Sequence, residues 1–224
     1  MIAINLITDL ITPLKTSDKG IDALGMMEEY KVSHLPIVNN VDFLGLISES
    51  DIYSINNPEE PIGNYKLSHS MIFVKKYQHI FDVFKVLGMY ELSLVPVLDD
   101  KNKYLGSITI DTISRRISNA SFISSPGGII VLEININNYS LSEISQIIES
   151  NNAKIMGMFI NNIPDSTKLE VSLKVNKMDI ESILQTFNRY DYFIKASYSE
   201  QESVFEDLNE RYSSFMNYLD MGDN

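Results

Sequence analysis

Residues 21–38 read IDALGMMEEYKVSHLPIV, and residues 81–98 read FDVFKVLGMYELSLVPVL, the same pattern 60 positions later. Tyr30 falls on Tyr90, and Pro36 falls on Pro96. Apolar side chains recur three residues apart at the start of each copy, which places them on one face of a helix. The apolar runs LPIV and VPVL then predict a strand in each copy. The first half of the chain is therefore a duplicated unit.

Each copy continues with the same elements. A polar turn leads into a second apolar run, FLGLIS at 43–48 and YLGSIT at 104–109, and then into a short helix. The second turn is one residue longer than the first. The repeating unit is strand–helix–strand–strand–helix. We therefore predict an α/β fold over residues 1–118 with pseudo-twofold symmetry, repeat one covering about 1–57 and repeat two about 65–118.

The pattern changes after residue 118. Residues 119–127 predict a linker, rich in serine and glycine. Residues 128–199 then predict the order βαββαβ, an α+β plait of the ferredoxin-like kind. Within it, Ser140 and Glu143 are spaced as a capping box at a helix start. Residues 168–175, KLEVSLKV, alternate as a half-buried strand does.

The last 25 residues, 200–224, predict an acidic helix and tail. Large apolar side chains are spaced alternately three and four residues apart: Phe205, Leu208, Tyr212, Phe215 and Leu219. This stripe fits a helix docked on its own domain, and it also fits a short coiled-coil seam between two copies. Because the edge of the plait also calls for a partner, we predict a homodimer.

Composition excludes several function classes. The chain has no cysteine, which removes disulfides and thiolate chemistry and favours a cytoplasmic location. The formal net charge is −12, and no basic stripe is present, so we expect no nucleic-acid partner. No apolar run is long enough for a membrane helix, and no secretory leader is recognisable. The three histidines, His34, His69 and His79, have no metal-binding or catalytic spacing, so we predict no enzyme and no metal site.

The most promising polar cluster is GLISESDI at residues 45–52. Gly45 lies in a strand, Ser48 ends it, and Asp51 falls in the first turn of the next helix. The Ser-x-x-Asp spacing is a helix-capping arrangement. The same hydroxyl and carboxylate could also hold the vicinal hydroxyls of a ribose.

The doubled unit, with SHLPIV and LGLISESD in one copy and SLVPVL and LGSITIDT in the other, resembles a tandem pair of CBS domains. The resemblance implies two clefts for adenine nucleotides or related adenosyl ligands. It implies ribose contacts for Ser48 and Asp51, and it makes Thr109 and Asp111 the candidate ligand-binding residues of the second copy. It also implies a base-contacting wall formed by Ser33, His34, Leu35 and Pro36. In the second copy Thr112 takes the aspartate position, and Asp111 is one residue early, about 100° around the helix.

Residues 128–199 resemble an ACT domain, and the combination resembles bacterial acetoin-utilisation B-type proteins. The ACT first loop usually carries Pro-Gly, whereas this chain has Asn137-Asn138-Tyr139. The resemblance implies a regulatory protein that requires no cofactor and senses AMP, ADP, ATP or S-adenosylmethionine, with the ACT-like domain in oligomerisation. Two alternatives stay open: an adaptor dimer with empty clefts, and amino-acid sensing by the ACT-like domain.

Overall fold

The structure, a computed structural model, describes residues 1–54, 57–64, 67 and 71–199. The chain divides into two compact units, Met1–Ser118 and Asn119–Asn224. Each unit has its own cluster of buried apolar side chains. The helix predicted over residues 200–219 lies outside the described residues.

Repeat one folds as a helix, a hairpin and a short second helix. Its elements are α1 (Gly20–Tyr30), β1 (His34–Asn39), β2 (Asp42–Ser48) and α2 (Glu49–Tyr53). The hairpin is antiparallel, and His34 lies opposite Ser48. Asn40 makes the turn with a φ of 56°, a left-handed conformation that asparagine tolerates better than most residues. The hairpin therefore delivers Ser48 to the start of α2.

Repeat two has the same order of elements after an additional first strand; in repeat one, the strand predicted at this place is reduced to a single parallel bridge between Leu14 and Ile37. The elements of repeat two are β3 (Val74–Lys75), α3 (Ile80–Met89), β4 (Leu94–Leu98), β5 (Tyr104–Thr109) and α4 (Ile110–Ser118). β4 pairs antiparallel with β5 and parallel with β3. Leu94 lies opposite Thr109, as His34 lies opposite Ser48. Thr109 and Ser48 are therefore equivalent positions, and the predicted duplication extends to strand register.

The segment before each repeat packs on the other repeat. The Ala3 N–H donates to the Gln78 carbonyl, and the Thr8 N–H donates to the Ser107 carbonyl. In the opposite direction, the Ile62 N–H donates to the Asp18 carbonyl. Residues 1–8, which the sequence assigned to repeat one, thus contribute to repeat two.

One core unites the two repeats. Its fully buried side chains include Leu6, Leu14, Leu35, Ile37, Leu46, Ile47, Ile52, Ile62, Leu92 and Leu94. Burying each leucine or isoleucine stabilises the unit by about 1.5–3 kcal/mol. Because both repeats supply these side chains, the unit folds around a single apolar interior.

The second unit contains a four-stranded antiparallel sheet. Its elements are α5 (Ser121–Ser124), β6 (Ile129–Asn135), α6 (Leu141–Ser150), β7 (Ile155–Asn162), β8 (Lys168–Val175), α7 (Glu181–Arg189) and β9 (Phe193–Tyr198). The strand order is β7-β8-β6-β9. From β6 onward the elements follow the order βαββαβ. Residues 119–127, predicted as a linker, contain the helix α5, whose Phe122 ring lies 6.0 Å from the Phe159 ring on β7.

Within the described residues, no helix has both the length and the apolar character required to cross a bilayer.

Candidate functional site

The start of α2 carries the hydroxyl and carboxylate of the Ser-x-x-Asp pattern. Ser48 Oγ accepts a hydrogen bond from the Asp51 N–H at 3.0 Å, and Asp51 Oδ2 accepts one from the Ser48 N–H at 2.9 Å. Ser48 Oγ also lies 2.8 Å from Ser50 Oγ. Ser48 is 5% exposed and Asp51 is 8% exposed. The capping role expected from the spacing is therefore present in full.

Polar side chains from both repeats meet around His34. His34 Nδ1 lies 3.1 Å from Ser33 Oγ and 3.2 Å from Ser93 Oγ. The Ser33 N–H donates to Ser93 Oγ at 3.0 Å. Since Ser93 precedes β4 and His34 begins β1, this cluster ties one repeat to the other.

The remaining residues predicted for the base-contacting wall are buried. Leu35 has no exposed surface and belongs to the shared core, and Pro36 is buried beside it in β1. Gly45 is buried in β2 with a φ of 155°, next to the bulge of the hairpin. Within that predicted wall, Ser33 and His34 are therefore the residues whose polar side chains lie where the two repeats meet.

The start of α4 has the same hydroxyl cap, but the residue three positions after the cap is a threonine instead of an aspartate. Thr109 Oγ1 accepts from the Thr112 N–H at 3.1 Å and lies 3.0 Å from Thr112 Oγ1. Asp111 lies elsewhere on the helix, as helix geometry predicts, and accepts from Arg115 Nε at 3.0 Å. This pair is exposed to solvent, and the hydrogen bond and charge of Asp111 raise the pKa of Arg115. A hydroxyl at Thr112 thus replaces the carboxylate of Asp51.

A cleft of about 810 Å³ lies against this second helix start. Its walls come from the N-terminal segment, the end of α1, Ser93 and the first turns of α4. The lining residues are Thr8, Leu10, Ile11, Glu29, Tyr30, Lys31, Val32, Ser93, Thr109, Ile110, Asp111, Thr112 and Arg115. The volume lies within the range of about 300–1,000 Å³ typical of small-molecule sites. Thr109 and Asp111 therefore both line a cavity of small-molecule size.

Several lining residues were not predicted from the sequence. Thr8 reaches the cleft because its segment bonds to Ser107 of repeat two, a pairing that no local pattern indicates. Lys31 follows α1 in the left-handed conformation that ends the helix. Arg115 follows Thr112 by three residues, so helical periodicity alone would have placed it on the same face.

Among the described residues, no three histidine, aspartate or glutamate side chains are grouped closely enough to hold a metal ion.

Comparison with known proteins agrees with the duplicated architecture. The family model of the CBS domain matches twice, at residues 8–56 and 62–119. The first half of the chain is a CBS domain pair. The two matches coincide with the two repeats.

Curated relatives share this region. The inosine-5'-monophosphate dehydrogenase of Bacillus subtilis (strain 168) is 23% identical over 135 residues, which are 58% of this chain and 28% of that enzyme. The chain thus spans less than a third of the length of this relative.

Solved structures match the CBS pair in the same way. A CBS domain pair/ACT domain protein from Thermotoga maritima is 16% identical and has a TM-score of 0.48, with 54% of this chain and 98% of that chain covered. CBSX2 from Arabidopsis thaliana, in its complex with AMP, is 21% identical and has a TM-score of 0.45, with 52% and 95% covered.

Proposed function

We propose that this protein is a non-catalytic regulatory protein whose CBS pair senses an adenine nucleotide or a related adenosyl ligand, such as AMP, ADP, ATP or S-adenosylmethionine. The observation that carries the proposal is the 810 Å³ cleft at the second helix start. Its lining combines apolar side chains, Leu10, Ile11 and Val32, with hydroxyl and charged groups. Such a mixture suits a flat base joined to a polar sugar.

The proposed roles follow from the two helix starts. In repeat one, Ser48 and Asp51 contact the ribose, and Ser33 with His34 forms the polar part of the base-contacting wall. In repeat two, Thr109 is the hydroxyl partner of the ribose, and Asp111 also lines the cleft. Occupancy of a cleft between repeats would favour one arrangement of the unit over another, which is how a binding event becomes a regulatory signal.

We also propose that the protein is a cytoplasmic homodimer, with residues 128–199 acting as an ACT-like domain in oligomerisation. Exposed apolar side chains on the helices of the CBS pair support self-association. Ile21 on α1 and Phe81 at the equivalent position of α3 are 47% and 75% exposed, and Tyr53 is 68% exposed. Large exposed apolar side chains grouped on helices are typical of interaction surfaces. Light scattering at micromolar concentration tests this, and a monomer would contradict it.

Calorimetric titration tests the ligand proposal. The panel contains the four adenosyl compounds together with amino acids, and the proteins are the wild type, Asp51→Ala, Asp51→Asn and Thr112→Asp. We expect both Asp51 variants to weaken binding in the first cleft by about 1.5–3 kcal/mol, because each removes hydrogen bonds to a charged acceptor. Thr112→Asp should strengthen ribose binding in the second cleft.

Asp22→Ala is the matched control, since Asp22 is exposed on α1 and its loss changes the net charge equally. Equal affinity of the wild type and Asp51→Asn would remove the ribose role. Binding of amino acids alone would transfer sensing to the ACT-like domain. Absence of binding by every compound would leave an adaptor with empty clefts.

A further inference from the structure

The residues that line the cleft at the second helix start differ in charge from the residues at the equivalent positions of repeat one. The cleft is lined by two cations, Lys31 and Arg115, and by two carboxylates, Glu29 and Asp111. Up to β4, equivalent positions of the two repeats are 60 residues apart. Beyond β4, the alignment is set by Ser48 and Thr109, which occupy matching positions in the strand register. The positions equivalent to the cleft lining hold no cation and three carboxylates, Glu49, Asp51 and Glu91.

The two cations of the second cleft have hydrogen-bond donors available to a ligand. Arg115 donates from Nε and Nη2 to one oxygen of Asp111 only, which leaves the rest of its five-donor guanidinium available to a ligand. The pair is exposed, with 68% and 65% of the two side chains accessible, and exposed pairs of this kind are weak. Among the residues that the structure describes, none pairs with the Lys31 ammonium.

We infer that the second cleft selects a ligand carrying a phosphate or polyphosphate group, with Arg115 as its principal partner and Lys31 as the second cation. The equivalent positions at the first helix start, with Glu49, Asp51 and Glu91, offer no such cation. The reason is electrostatic. A guanidinium binds phosphate oxygens in a bidentate fork, whereas clustered carboxylates repel the same anion.

This inference rests on the proposed function for the adenosyl part of the ligand, and a probe without adenosine separates the two. The full chain is titrated by calorimetry, without divalent cations, with adenosine, AMP, ATP and inorganic tripolyphosphate. We expect ATP to bind more tightly than adenosine. Arg115→Gln should reduce ATP affinity about ten- to hundredfold, the loss of a charge-assisted contact, while leaving adenosine affinity unchanged.

Three variants sharpen the experiment. Arg116→Gln is the matched control, because Arg116 is exposed, does not line the cleft and carries the same charge. Arg115→Lys should restore part of the ATP affinity. Asp111→Asn should raise ATP affinity roughly two- to fivefold, because it removes a competing carboxylate.

The outcomes distinguish the two ideas. Equal affinities for adenosine and ATP, unchanged in Arg115→Gln, would overturn the phosphate inference and leave the adenosyl proposal standing. If tripolyphosphate binding depends on Arg115 and the adenosine group adds no affinity, the phosphate inference would stand and the adenosyl proposal would be overturned. Equal losses in Arg115→Gln and Arg116→Gln would reduce the effect to general charge and overturn the inference. Absence of binding by all four compounds would reject both.

Discussion

The starts of α2 and α4 occupy equivalent positions and share a cap, yet they differ in chemistry. Ser48 and Thr109 each accept from the N–H three residues ahead, at 3.0 and 3.1 Å. Only Asp51 returns a carboxylate bond to the N–H of its cap residue, while Thr112 makes a hydroxyl contact. The fold therefore requires the hydroxyl at this position and tolerates loss of the carboxylate. Asp51 thus adds a second bond to the hydroxyl cap that both helix starts share, and substitutions at the two starts compare the two arrangements.

Substitutions in the shared core should destabilise the protein equally in the two repeats, whatever the residue at the helix start. Ile47 and Ile108 precede the two caps, and both are fully buried. We expect Ile47→Ala and Ile108→Ala each to lower the free energy of unfolding by about 2–5 kcal/mol in urea titrations, because each leaves a cavity in one shared interior. Ile136→Ala, at a 55% exposed position of the second unit, is the control and should change it by less than about 0.5 kcal/mol. A large loss at one position only would mean that the repeats do not share a core.

The helix starts should differ in stability without ligand. Asp51→Ala leaves the N–H of the buried Ser48 without its carboxylate acceptor, which should cost about 1–3 kcal/mol. Thr112→Ala removes one hydroxyl contact and should cost about 0.5–1.5 kcal/mol. Chemical denaturation of the two variants measures both values. Asp51→Asn retains an acceptor oxygen and should recover most of the loss. Equal costs at Asp51 and Thr112 would contradict the reciprocal bond.

The hairpin turns should differ in their response to acid. Asp99 Oδ1 accepts from the Lys101 and Lys103 N–H groups, each at 2.8 Å, and these bonds lower the pKa of Asp99. The corresponding residue in repeat one is Asn39, which does not ionise. Because the folded-state pKa is lowered, the contribution of Asp99 is present above its unfolded-state pKa and is lost as pH falls through the folded-state value.

Asp99→Asn should therefore destabilise the protein slightly at neutral pH and not at acidic pH, the smallest of these effects because Asp99 is only partly buried. Urea midpoints of the wild type and the variant, measured across the acidic range, give the comparison. Asn39→Ala, which removes no ionisable group, should give a pH-independent difference. A constant gap between the wild type and Asp99→Asn at every pH would reject the assignment.

Local patterns predicted the repeated elements and the cap at Ser48, because helix periodicity, apolar strands and capping depend on residues close in sequence. Leu35 and Pro36 were assigned to a ligand wall through a family resemblance. The strand that holds them is almost entirely apolar, and the structure buries it on both faces. Thr8 and Lys31 could not be found locally, since they reach the second cleft through pairings between the repeats.

The crossing of residues 1–8 onto repeat two also bears on biosynthesis. Thr8 bonds to Ser107, and Ile7 packs so closely on Gly106 that a Cβ there would lie 2.4 Å from Ile7 Cγ2. On the ribosome, Thr8 is made before Ser107, and the intervening residues take roughly 5–20 s to translate at typical rates. Throughout that interval the early segment lacks its docking site, although it carries Leu6, a side chain that ends fully buried. The unit consequently closes only after the second hairpin has emerged, and a nascent chain stalled at the linker between the repeats would expose apolar residues that chaperones recognise.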